Sequence, residues 1–223
     1  MDSTTVGQGA TSARFDLGAQ SIYPLEVCDI ITGNMPNTLG SDGYYGVMVY
    51  APAGFSIGGF GDVVVGLHFV NVYAAPIELV LQSNRVDLTL ETGACTSSGC
   101  HYRNGSGCSA SSTVTCLGPQ AAVPAGSFSG GKWYEIITHV HWAADSTGAV
   151  QTWYRVKGSS AWTATASYSG IPTEQWASSS SCCVSSYDDE YSSYTSQLSS
   201  PLTIWLDNII DGPSFNTIAT TMP

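Results

Sequence analysis

Residues 132–156, KWYEIITHVHWAADSTGAVQTWYRV, alternate two kinds of side chain on either side of a turn, which restricts them to a β-hairpin. Successive side chains of a strand point to opposite faces of its sheet. In the first arm Tyr134, Ile136, Thr138, Val140 and Trp142 share one parity, and Trp133, Glu135, Ile137, His139 and His141 share the other. Asp145, Ser146, Thr147 and Gly148 supply the reversal, the glycine being free to take a positive φ. The return arm separates Val150, Thr152, Tyr154 and Val156 from Gln151, Trp153 and Arg155. The first set reads as core. The face carrying Glu135, His139, His141, Gln151, Trp153 and Arg155 reads either as a sugar-binding groove, with indole rings to stack on, or as a solvated sheet face.

Alternation recurs along the chain. Residues 11–17 set Arg14 and Asp16 against Ala13, Phe15 and Leu17. Residues 43–51 are apolar on both parities, as a strand buried between layers should be. In 62–71, Val63, Val65, Leu67 and Phe69 are expected to face inward, with Asp62, Gly66 and His68 opposite. Residues 77–82 and 85–92 pair around Ser83 and Asn84, and 202–210 close as a last strand. Residues 168–200 hold few aliphatics and read as loop, and residues 1–10 as a flexible lead-in. With only 10% charged residues, helix-favouring runs are scarce. The expectation is one all-β domain over residues 11–223, an antiparallel β-sandwich of the jelly-roll (concanavalin-like) type with at most short helical turns.

A formal net charge of −11 and the lack of any Lys/Arg cluster exclude nucleic acid as a partner. It also argues against a highly sulfated polyanion, but leaves room for a polymer with one carboxylate per sugar. No apolar run approaches the roughly 20 residues that span a bilayer. Seven cysteines in a Ser/Gly-rich chain point to an oxidising compartment, although no apolar leader follows Met1. An extracellular monomer is expected. Cys95, Cys100, Cys108 and Cys116 lie in a stretch at 93–118 too polar to hold itself together. Two disulfides among them are expected; zinc, with His101, is the alternative. Cys182 and Cys183 are adjacent, with Cys28 a possible partner.

The order of motifs resembles the jelly-roll polysaccharide lyases of the heparinase and glucuronan-lyase type. Arg14-Phe15-Asp16 is similar to their early Arg-x-acidic strand, and Tyr44-Tyr45-Gly46 leading to Tyr50-Ala51-Pro52 to their Trp-Tyr-Gly strand and Pro turn. Leu67-His68-Phe69, followed by Ala75-Pro76-Ile77, resembles their Gln-x-His segment and the strand after it. The hairpin matches their Trp…His…Trp pattern, and Ile171-Pro172-Thr173, Tyr194 and Trp205-Leu206-Asp207-Asn208 fall where they carry a Pro-Thr loop, a tyrosine loop and a closing strand. The likeness spans most of residues 11–214, with 93–118 as an insertion.

The resemblance implies β-elimination at a uronic acid. A base removes the proton α to the carboxylate, a donor neutralises that carboxylate, and an acid protonates the leaving oxygen. Carried over, His68 and Tyr194 are the proton-transfer candidates. Tyr191 and Tyr187 compete with Tyr194, and His139 is a further catalytic candidate or a structural histidine. Arg14, Glu135, His141, Gln151, Trp153 and Arg155 are the expected substrate contacts. Gly66 stands where the family carries its glutamine, so Gln151, Asn71 or an arginine must neutralise the carboxylate, or the chain only binds glycans. That binding-module alternative would use Trp133, Trp153 or Trp162 as platforms. A glycoside hydrolase ranks third, because Glu135 is a lone carboxylate on its face. No cofactor is required by this chemistry. A structural calcium at Asp207 is a further expectation, although calcium takes six to eight oxygens.

Overall fold

The computed structural model describes the backbone of residues 1–18, 26–35, 39–57, 61–68, 76–96, 99–104, 108–176, 187–195, 198 and 200–223. Side chains are described for all of these except 26–35, 68, 95, 96, 99, 175, 176 and 187–195. Among the described residues, fifteen strands and one helix follow in chain order. They are β1 (Ala13–Leu17), β2 (Glu26–Met35), β3 (Asp42–Tyr50), β4 (Asp62–His68), β5 (Ile77–Leu81), β6 (Val86–Thr96), β7 (Gly99–Arg103) and β8 (Thr115–Cys116). Then come β9 (Gln120–Val123), β10 (Trp133–His141), β11 (Ala149–Val156), β12 (Thr163–Ser169), β13 (Gln175–Trp176), β14 (Tyr187–Thr195), β15 (Leu202–Gly212) and the helix α1 (Phe215–Thr221).

These strands make two sheets. One has six strands in the order β1-β15-β3-β10-β11-β12, all antiparallel. The other runs β2-β14-β4-β5-β6-β7-β8, with β9 and β13 also paired to β6. Phe15, Val47, Val49, Tyr134, Ile136, Val140 and Ile204 of the first sheet meet Val65, Leu67, Ile77, Leu79, Leu81, Leu88 and Leu90 of the second in one core. The expected β-sandwich with only a short helix is therefore the observed fold. The hairpin is β10–β11, closed by Asp145, whose carboxylate accepts from the Thr147 N–H at 2.9 Å and the Thr147 hydroxyl at 2.6 Å. A side chain at Gly130 would stand 1.9 Å from the Pro52 carbonyl oxygen, so the chain before the hairpin passes where only glycine fits.

Four features depart from the sequence reading. Residues 168–169, 175–176 and 187–195, expected as loop, belong to β12, β13 and β14, and β14 is an interior strand of the larger sheet. Tyr187–Thr195, YDDEYSSYT, has too few aliphatics to announce a strand, because β2 and β4 flank it and supply the ladder. Second, a bulge between Val63 and Val65 inverts the expected parity at the start of β4. Asp62 pairs with core Leu81 and is fully buried, Val64 enters the core, and Val63 pairs with Val80 on the outward side. Third, residues 1–10 are not a free lead-in. Asp2 bridges to Ser12 and accepts from Trp205 Nε1 at 3.0 Å, and the Gly7 and Gln8 N–H groups both reach Asp207 at 2.8 Å.

The fourth departure concerns the outer face of the six-stranded sheet. Met48, Trp133 and Trp205 form a small cluster at one end, packed by Tyr50 and adjoining the N-terminal segment through the Trp205–Asp2 bond. At the other end Ile137 packs under Ile218 and Met222 of the C-terminal helix region, with Trp153, Trp162 and Phe215 around them. The N-terminal segment thus lies against Met48 and Trp205, and the C-terminal helix region covers Ile137 of β10, positions that strand alternation alone would leave in water.

Candidate functional site

The two histidine-bearing faces lie on opposite sides of the sandwich. β10 and β11 belong to the six-stranded sheet and β4 to the larger one, and the inward positions of both line the shared core. The outward parity of β10 and the parity of position 68 therefore diverge from that core in opposite directions. The groove expected to unite Glu135, His139, His141, Gln151, Trp153 and Arg155 with His68 does not exist in this fold. Alternation orients residues within one strand; which sheet a strand joins is decided by long-range pairing.

The hairpin residues have partners within the chain. Glu135 is completely buried, and Arg155 Nε donates to its Oε2, while Arg155 Nη2 donates to the carbonyls of both Met222 at 3.2 Å and Pro223 at 2.8 Å. The guanidinium also lies 4.5 Å from the Trp162 ring centroid. Burial pushes the Glu135 carboxyl up, opposed by Arg155. Gln151 donates to the carbonyls of Thr152 and Ala166, both at 2.9 Å, bracing the bulge between β11 and β12. Trp153 packs on Phe215 with centroids 5.0 Å apart. The three tryptophans offered as sugar platforms, Trp133, Trp153 and Trp162, are thus packed against the protein itself.

His139 and His141 share one acceptor. His139 Nε2 and His141 Nδ1 lie 2.7 and 3.0 Å from Asp42 Oδ1, and the His139 ring stacks on Tyr44 at 4.4 Å. The hydrogen bond from His139 holds the Asp42 carboxyl below its ordinary value. Geometry favours the structural reading of His139. Arg14, on β1 of the same sheet, donates to Asp16 at 3.0–3.1 Å and lies 5.6 Å from the Trp205 centroid, so it too is remote from His68.

The outer face of the larger sheet is a different surface. Register runs position 188 beside His68, Glu190 beside Gly66, Gly66 beside Glu78, and Glu78 beside Thr89. The Glu91 N–H donates to the Pro76 carbonyl at 2.9 Å, and Glu91 pairs with Arg103 on β7. Position 68 is therefore in a transverse row that passes Pro76 and Glu91 to reach Arg103. Position 194 pairs with outward Val63 and so falls on this face, whereas position 191 pairs with Val65, a core residue. The register separates Tyr191 from the face and keeps Tyr194 on it, about five residues or roughly 15 Å along the ladder from position 68. Tyr187 is the first residue of β14, beside Met35 of β2.

This face is recessed. Glu78, Asp87, Thr89, Glu91 and Arg103 are all half-buried despite pointing away from the core. Burial raises the carboxyls of Asp87 and Glu91, opposed by Arg85 and Arg103 respectively. Sequence reasoning missed Arg103 and Glu91 because both sit beside or within the cysteine-rich insertion. Their signal lies in the continuation of the β6 parity past Leu90.

That insertion is stapled as expected in part. Cys108 and Cys116 form a disulfide, and Cys100 is also disulfide-bonded, with Cys95 as its backbone partner across β6–β7. Cys108 and Cys116 are thereby removed from the alternative zinc set. Cys182, Cys183 and the Cys28 side chain lie outside the described residues, as does Asn71. Asp207 does not fit calcium: its Oδ2 accepts from Gly7 N–H and Gln8 N–H, and its Oδ1 from Asn208 N–H at 2.7 Å. Three N–H donors occupy the carboxylate, and Asn208 turns the strand there with φ 47°. Among the described residues no group of three His, Cys, Asp or Glu side chains is arranged to hold a metal.

A family model described as polysaccharide lyase matches residues 2–209. In fold the chain is similar to the endo-β-1,4-glucuronan lyase of the fungus Trichoderma reesei, with TM-score 0.65, 12% identity, and coverage of 96% of this chain and 85% of that one. It is also similar to alginate lyase Aly36B, with TM-score 0.56, 11% identity and coverage of 92% and 81%. Alginate lyase A1-II', a member of polysaccharide lyase family 7, follows with TM-score 0.54, 10% identity and coverage of 93% and 82%. No curated protein matches the sequence. At these identities the structural likeness establishes the shared sandwich.

Proposed function

The chain belongs to the polysaccharide lyase family, a family of carbon–oxygen lyases, and we propose that it cleaves a uronate-containing polysaccharide by β-elimination on the outer face of its larger sheet. The observation that carries this reading is the register of β14 on β4, which sets positions 68 and 194 on one recessed face and leaves the hairpin histidines on the other side. The solved structures it resembles include a glucuronan lyase and alginate lyases, which supports an acidic glycan as substrate.

In this reading His68 abstracts the proton α to the carboxylate and Tyr194 protonates the leaving glycosidic oxygen. Both side-chain types exchange protons within hydrogen-bond reach. The enolate-like intermediate needs preorganised donors, and Gly66 cannot supply one by side chain. The enzyme acts outside the cell, which its disulfide supports. It acts as a monomer, since its own termini cover the apolar outer positions of the six-stranded sheet.

The test is ultraviolet absorbance from unsaturated uronate ends, screened over glucuronan, alginate, heparan and hyaluronan. A rise on at least one is expected. His68→Ala and Tyr194→Phe should each lower turnover about 10²–10⁴-fold with little loss of glycan binding. No rise on any of the four polymers overturns the uronate reading, and full activity in both variants overturns the assignment of the two residues.

A further inference from the structure

Four arginines and two lysines are all the fixed positive charge this chain has, and their placement is uneven. Arg14 and Arg155 are engaged on the six-stranded sheet, as described. Arg103 is different. It sits on the recessed face in the same transverse row as His68, and its nearest described carboxylate, Glu91, is 3.9 Å away. Its Nε is buried and has no hydrogen-bond partner. A buried donor without an acceptor costs free energy unless a ligand supplies one.

The backbone at this position is unusually well held. The Arg103 carbonyl accepts from the Leu117 N–H at 2.7 Å, and Arg103 pairs with Cys116 in the β7–β8 ladder. Cys116 is bonded to Cys108, whose sulfur lies 3.8 Å from the same carbonyl. The next residue, Asn104, is buried, accepting from Leu90 N–H and donating to the Leu88 carbonyl and the Tyr168 hydroxyl. The stapled insertion thus presents one partly exposed guanidinium on the face assigned above to the glycan, with its Nε held beneath the surface.

We propose that Arg103 is a carboxylate-recognising subsite that selects an acidic sugar, placed on the substrate track by the Cys108–Cys116 staple. The row from position 68 to Arg103 crosses three strand spacings, roughly 14 Å, so Arg103 meets a sugar some units away from the one undergoing elimination. A guanidinium binds a carboxylate through two parallel N–H donors, which a neutral sugar cannot accept equally. This inference rests on the uronate reading of the same face.

The experiment uses the full chain and its Arg103→Ala and Arg103→Lys variants, with polyglucuronate and polymannuronate as substrates. Carboxyl-reduced polyglucuronate serves as a neutral binding probe in affinity electrophoresis. Arg103→Ala should raise KM about 10- to 100-fold on the polymer that is cleaved while kcat moves by no more than about two-fold. Arg103→Lys should recover only part of the loss, and retardation by the neutral probe should not change. Reducing the disulfides of the wild type should raise KM in the same direction. An unchanged KM in Arg103→Ala, in an active wild type, overturns the subsite alone. Equal weakening towards the neutral probe assigns Arg103 a structural role and overturns it too. A wild type that neither cleaves nor binds either acidic polymer overturns the uronate reading first, and the subsite with it.

Discussion

Replacing Arg155 by methionine separates a structural role for the hairpin face from a glycan-binding one. Glu135 has no solvent exposure, and its Oε1 is buried without a partner, so Arg155 at Oε2 is the main compensation for that charge. Breaking a buried pair from one side leaves an uncompensated charge and costs about 3–5 kcal/mol. The two bonds to the Met222 and Pro223 carbonyls add about 0.5–1.5 kcal/mol each, discounted because the chain end is exposed. Arg155→Met should therefore lower the urea midpoint by an amount equivalent to about 4 kcal/mol. The double variant Glu135→Leu/Arg155→Met should return to near the wild-type midpoint, because a buried pair replaced by apolar groups of similar volume is often neutral or stabilising. The sign with pH is also determined. Burial raises the Glu135 carboxyl in the folded state, and removing Arg155 raises it further, so the penalty is largest at alkaline pH and shrinks as pH falls through that raised value. Urea titrations at pH 5 and pH 8, with cleavage assayed on the folded fraction, provide the measurements. An unchanged midpoint together with lost glycan affinity would falsify this account and restore the hairpin face as the binding groove.

Asn104→Ala leaves the Leu90 N–H and Leu88 carbonyl without their side-chain partner inside the sandwich and should cost about 2–4 kcal/mol, read as a shift in urea midpoint. Gly130→Ala forces a methyl against the Pro52 carbonyl and should destabilise by about 1–3 kcal/mol through backbone displacement, whereas Gly118→Ala, with open space around its Cβ, should change the thermal midpoint little. Affinity for an acidic glycan should rise as pH is lowered from 7 towards 5. Burial raises Asp87 and Glu91, so they lose charge first and leave Arg85 and Arg103 uncompensated, while a uronate with an ordinary carboxylate pKa of about 3.5 stays ionised. Glu78, His101 and positions 68, 188, 190 and 194 also carry titratable groups on that face, and a Glu91→Gln variant isolates its share: its KM should vary less with pH than that of the wild type.

Local residue patterns are enough to specify the class of fold and the placement of its most regular strands. β3, β5, β10, β11 and β15 were legible because core and surface side chains alternate, or because both parities are apolar, and such patterns need no partner strand to be read. The ordered motifs also pointed to the lyase family. Tertiary structure decided everything that depends on pairing. β14 is polar along most of its length and exists because β2 and β4 flank it. The bulge in β4 exchanged Asp62 and Val63 between core and surface, a single-residue event that periodicity cannot foresee. Most consequentially, parity named the outward residues of the hairpin but not which side of the sandwich they would face, nor that the C-terminal helix region would lie over them. Glu135 and Arg155 looked like a binding pair and are a buried ion pair beneath the C-terminus. Arg103 looked like part of a cysteine-rich insertion and stands in the row of His68, because a ladder joins residues far apart in sequence and only the closed sheet brings them together.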